Sequence, residues 1–66
     1  MIELTRINGT KLVLNSYHFE RIESLPNTTI TMMNNQKYIV TEPKDEILEL
    51  IKEYYRAIYL ENKNTD

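Results

Sequence analysis

Apolar and polar residues alternate at Ile2, Glu3, Leu4 and Thr5, the period of two expected of a strand with one buried face. Residues 2–7 are read as a first strand and Leu12-Val13-Leu14 as part of a second, with Asn8-Gly9 between them. Asn-Gly between two such runs is a strong hairpin signal, because a type I′ turn needs positive φ at both central positions. Gly9 is the only glycine in the chain, which fits a position where backbone geometry rather than packing decides the residue. Asn15-Ser16 then breaks the strand. Phe19, Ile22 and Leu25 recur at a spacing of three, whereas Tyr17, Phe19, Arg21 and Glu23 would share one face of a strand. Residues 16–20 are therefore read as a turn or short helical segment and residues 21–25 as a strand. Pro26-Asn27 marks a turn, and residues 28–33 are rich in β-branched side chains. Asn34-Asn35 makes a second tight turn, and residues 36–41 form the last strand. The pattern predicts an antiparallel meander of about five short strands.

Beyond Thr41 the period changes. Pro43 is tolerated at the first helical position, and Asp45 and Glu46 follow where negative charge suits the helix dipole. Residues 45–60 contain no Gly or Pro, and Ile47, Leu50, Ile51, Tyr54 and Ile58 recur at steps of three and four to form one apolar stripe. Glu49 with Lys52 and Glu53 with Arg56 are spaced to pair on the remaining face. The expected architecture is a single α+β domain over residues 1–60, the meander followed by one C-terminal helix, with residues 61–66 a fraying polar tail.

The helix carries more apolar surface than a single stripe. With Ile47 set at 0° and about 100° per residue, Leu48, Tyr55 and Tyr59 form a second row at about 80–120°. The apolar and aromatic positions together span roughly 200°, twice the width that one packed face requires. Either the sheet curls around the helix and covers this arc, or Leu48, Tyr55 and Tyr59 form a protein contact. Tyrosine suits such an interface, since its ring buries while its hydroxyl stays wet. A chain of 66 residues without cysteine builds only a small core and has no disulfide to reinforce it. Self-association is thus the expected reinforcement, making the chain a homo-oligomer.

Composition narrows the chemistry. The net charge is −2, against the basic footprint of a nucleic-acid binder. Through Thr41 the charges leave +1, and from Glu42 onward −3. Arg6, Lys11 and Lys37 would give the sheet a modest basic face, which keeps regulatory nucleic-acid binding as an alternative reading. No apolar run approaches the roughly 20 residues that cross a bilayer, and no signal-peptide pattern opens the chain; the expected location is the cytoplasm. His18 is the one histidine, with no nucleophile or metal-ligand spacing beside it. Glu20 and Glu23 read as solvated surface rather than a catalytic carboxylate pair. Glu42, Asp45, Glu46 and Glu49 lack the ligand spacing and turn glycine of an EF-hand, so helix capping is the better account. No catalytic residue, cofactor or metal site is expected.

The blocks Met1-Ile2-Glu3-Leu4-Thr5-Arg6-Ile7-Asn8-Gly9, Ile22-Glu23-Ser24-Leu25-Pro26-Asn27-Thr28-Thr29-Ile30 and Lys37-Tyr38-Ile39-Val40-Thr41-Glu42 resemble, in the same order, the FlbD family of short bacterial flagellar-operon proteins. In some bacteria these are called swarming motility proteins, SwrD. The resemblance runs from Met1 to about Ile58. Three turns depart from the family pattern: Pro26-Asn27-Thr28 stands for Pro-Asp-Thr, Asn34-Asn35 for Asn-Gly, and Glu42-Pro43 for Glu-Ser. Each keeps residues suited to a turn or a helix start. The resemblance implies a cytoplasmic accessory of flagellar motility that supports motor power during swarming; it names no partner, and the expected contact is self-association or a flagellar motor component. It implies no catalytic residue.

Overall fold

The computed structural model describes residues 1–64, with side chains described through Tyr59. In order, the elements are β1 (Ile2–Thr5), β2 (Lys11–Leu14), a 3-10 turn (Ser16–His18), β3 (Phe19–Glu23), β4 (Thr29–Met32), β5 (Lys37–Ile39) and α1 (Lys44–Asn64). The expected α+β architecture is present, with the strands divided between two antiparallel sheets, β1-β2 and β3-β4-β5. The division falls at the 3-10 turn, where the chain leaves one hairpin and enters the next. The helix starts one residue before the expected Asp45 and continues to Asn64, past the expected end at Leu60. Pro43 sits just outside it, its carbonyl accepting the Ile47 N–H at 3.1 Å.

Both hairpin loops depart from the expected two-residue turn, and both do so in the same way. Arg6 N–H donates to the Thr10 carbonyl at 2.8 Å, and Gly9 N–H donates to the Arg6 carbonyl at 2.9 Å. Only Gly9, at φ 91°, has positive φ in this loop. That is a three-residue loop, a type I turn closed by one left-handed residue, rather than type I′. The second hairpin repeats it: Met32 N–H donates to the Gln36 carbonyl at 2.8 Å and Asn35 N–H to the Met32 carbonyl at 2.9 Å. Asn35 takes the left-handed position at φ 72°. In each loop the asparagine before that position accepts a backbone N–H through Oδ1, Asn8 from Thr10 and Asn34 from Gln36, both at 3.0 Å.

Alternation places Ile2, Leu4 and Leu14 of the first hairpin on the inner side, facing Ile30, Val40 and Ile47. These six form the buried core among the described residues, and Leu4, Ile30 and Ile47 are fully enclosed. Full burial of a side chain such as Ile47 contributes about 1.5–3 kcal/mol, which fixes the first turn of the helix against the strands. Among the described residues the two sheets meet at an isolated bridge between Arg6 and Val40, and the Thr41 N–H reaches the Thr5 carbonyl at 2.8 Å. The Arg6 guanidinium lies over the Tyr38 ring, 5.6 Å from its centroid.

Glu42, expected to cap the helix, instead ties the hairpin to the helix start. Its Oε1 accepts the Thr5 N–H at 2.9 Å. Burial pushes this carboxyl up, but hydrogen bonding from the Thr5 backbone and side chain, its own N–H and the nearby Lys11 charge outweigh that and hold it below its ordinary value. Lys11 Nζ in turn donates to Thr5 Oγ1 at 2.9 Å. The central strand β4 contains one unsatisfied group: Thr31 is 1% exposed, and its Oγ1 has no hydrogen-bond partner among the described residues.

Candidate functional site

The helix meets the sheets through its first turns, where Ile47 is buried and Leu50, Ile51 and Tyr54 pack against the core. The second row lies on the shoulder of this contact. Leu48 is 46% exposed and Tyr59 63% exposed, while Tyr55 is half-buried. The strands therefore do not curl over the whole arc.

What half-covers Tyr55 is the 3-10 turn between the two sheets. Asn15 Oδ1 accepts the Tyr17 N–H at 3.0 Å, and the Asn15 carbonyl accepts the His18 N–H at 3.0 Å. This side-chain cap competes with strand continuation and turns the chain at this point. The buried Ser16 Oγ then lies 3.2 Å from the Tyr55 hydroxyl. The Tyr17 ring meets Tyr55 edge-on with centroids 5.3 Å apart, and Tyr54 sits beside it at 5.9 Å. An edge-on aromatic pair adds about 0.5–1.5 kcal/mol beyond area burial. Tyr17 itself stays 65% exposed. The candidate surface is therefore composite: Leu48, Tyr55 and Tyr59 from the helix, extended by Tyr17 from the turn. Tyr17 was not part of the surface expected from the sequence. The Asn15 cap was the local signal for a fixed turn there, but its approach to Tyr55 is a long-range fact.

The other candidates fall elsewhere. The His18 side chain is exposed, and its carbonyl accepts the Met33 N–H at 2.8 Å. Arg21 lies 3.7 Å from Glu20 and 3.4 Å from Glu23, giving those glutamates an ion-pair role on the surface. Lys52 pairs with Glu49 at 3.5 Å; the expected Glu53–Arg56 pair is not made among the described residues. Among the described residues, no group of three or more His, Cys, Asp or Glu side chains is arranged to hold a metal ion. No helix among them is long and apolar enough to cross a membrane.

The profile of the FlbD family, described as flagellar and swarming motility proteins, matches residues 1–59. The chain belongs to this family. The match spans both hairpin loops, the 3-10 turn and the helix through Tyr59, so every residue of the composite surface lies within the part that FlbD proteins share. No curated protein and no solved structure matches the chain.

Proposed function

We propose that this FlbD-family chain acts in flagellar and swarming motility as a non-enzymatic, cytoplasmic contact module that supports flagellar motor power by binding protein. The observation that carries the reading is the shoulder on which Leu48, Tyr59 and Tyr17 are exposed around the half-buried, hydrogen-bonded Tyr55, beside a capped turn. Large aromatic rings presented on a rigid support lose little conformational entropy on docking, which is why tyrosine dominates the energetic centres of interfaces. The basic residues support this reading over nucleic-acid binding. Of the three basic residues Arg6, Lys11 and Lys37, Arg6 is stacked on Tyr38 and Lys11 is bound to Thr5 beside Glu42, and the chain's net charge is −2, which weighs against a phosphate-binding stripe.

The test is a swarming assay in a strain carrying Tyr59→Glu or Tyr17→Glu, with circular dichroism confirming the fold. Tyr59 is 63% exposed, whereas Tyr17→Glu also gives up the edge-on contact with Tyr55 and should cost about 0.5–1.5 kcal/mol, so unfolding midpoints are measured for both variants. Loss of swarming, with loss of co-purification of motor components, is the expected result. Wild-type swarming by both folded variants would remove this surface from the function.

A further inference from the structure

Of the seven asparagines in the chain, Asn8 is the one followed by glycine. The side-chain amide of an asparagine is open to attack by the backbone nitrogen of the next residue, and glycine there has no side chain to obstruct the approach. The Gly9 nitrogen gives up its proton and bonds to Asn8 Cγ; the Cγ–Nδ2 bond breaks, and ammonia leaves carrying that proton. The five-membered succinimide then adds water at one of its two carbonyls. One opening restores the ordinary backbone with a carboxylate in place of the amide. The other routes the main chain through Cγ, an isoaspartyl linkage that is longer by a backbone carbon. Water is the only co-reactant.

The closed loop opposes the first step. Asn8, Gly9 and Thr10 are all exposed, so water reaches them and the control is conformational. The Gly9 N–H, whose proton must be lost, is engaged with the Arg6 carbonyl at 2.9 Å. Asn8 takes the third position of the type I turn, where ψ near about 0° turns the following nitrogen away from the side-chain branch. The amide itself is held forward over the loop: Oδ1 accepts the Thr10 N–H at 3.0 Å and the Thr10 hydroxyl at 2.7 Å. Ring closure needs both the backbone and the side chain of Asn8 to rotate, and these bonds tie down both. The second hairpin supplies a matched reference. Asn34 holds the same place, its Oδ1 accepting the Gln36 N–H at 3.0 Å, but the residue after it is Asn35, which has a β-carbon.

We propose that Asn8 is a modification site controlled by the fold: the closed loop keeps it as asparagine, and each opening of the loop exposes it to succinimide formation. Loops open locally at less cost than the whole domain unfolds. The isoaspartyl product lengthens a loop whose three residues are closed by the Arg6–Thr10 and Gly9–Arg6 bonds. Arg6 also bridges Val40 and lies over Tyr38, so the change is delivered to the junction of the two sheets.

The test holds the full chain in mildly alkaline buffer, with and without denaturing urea, and follows conversion at each asparagine by peptide mass spectrometry. In urea, position 8 should convert far faster than position 34. In the folded chain, conversion at position 8 should fall at least about tenfold below its rate in urea, equivalent to an opening cost of about 1.4 kcal/mol or more. Thr10→Val keeps the β-branch and removes the 2.7 Å bond; it should speed conversion several-fold in the folded chain and leave the rate in urea unchanged. Equal rates at position 8 with and without urea overturn the proposal. So does a position 8 no faster than position 34 in urea, or a folded Thr10→Val chain converting at the wild-type rate. Asn8→Asp adds the charge with an ordinary backbone and should keep the wild-type urea midpoint, whereas isoaspartyl chains separated by chromatography should unfold at a lower one. Equal midpoints for these two would overturn the effect on the junction.

Discussion

Replacing Thr31 by valine should make this fold more stable. The side chain is 1% exposed, in the middle strand of the three-stranded sheet, and its Oγ1 has no hydrogen-bond partner among the described residues. A hydroxyl that leaves water without gaining a partner costs about 1–3 kcal/mol. Valine exchanges that oxygen for a methyl group of nearly the same shape and keeps the β-branch suited to a strand. The apolar carbon gained adds up to about 0.8 kcal/mol where it is fully buried. Allowing for imperfect fit of the new methyl, the net expectation is about 1–2 kcal/mol, or roughly 4–16 °C in Tm for a domain of this size. Urea and thermal unfolding by far-ultraviolet circular dichroism would measure it. Protein concentration must be held fixed, because association alone shifts apparent stability. Thr31→Ser is the control, since it keeps the hydroxyl, removes the methyl and should lose about 1 kcal/mol. If Thr31→Val is destabilised while Thr31→Ser is tolerated, the hydroxyl is making a bond and the reasoning fails.

The two matching loops give a paired prediction: Asn35→Gly should stabilise by several tenths of a kcal/mol, and Gly9→Ala should destabilise by about 1–2 kcal/mol, both read from urea midpoints. A β-carbon on Gly9 would meet nothing within 4 Å, so the second loss is conformational, and an equal loss from a clash is not available to explain it. For Glu42, the folded state holds the carboxyl below its ordinary value of 4.5. Its contribution is therefore complete above that pH and fades as the pH falls below it. Glu42→Gln should flatten the acid side of a stability–pH profile; a variant whose acid limb parallels wild type would show that the Thr5 contact carries no linkage.

Local periodicity carried most of the fold. The alternation of Ile2 and Leu4, the Asn-Gly pair and the helix stripe each encode a contact between near neighbours, and each appears where expected. The turn type was harder, though a signal was present. Ile7 is out of phase with Ile2 and Leu4, and it lies 63% exposed in the loop, so the first strand had to end before it. The division into two sheets was not legible, because nothing in the residues around Ser16 tells whether β2 and β3 share a ladder. The Leu48, Tyr55 and Tyr59 row could be drawn from helical geometry alone. Its extension by Tyr17 could not, since the Ser16–Tyr55 contact joins residues 39 positions apart, and only the closed fold brings them together.

The helix is 21 residues long, about 31 Å, in a molecule measuring 44 × 23 × 19 Å, yet its grip on the core is concentrated between Ile47 and Tyr54. Beyond Tyr55 the rod runs on with Tyr59 63% exposed, outside the grip that holds the strands. Substitutions toward its far end should therefore change the surface the rod presents far more than the packing of the small head.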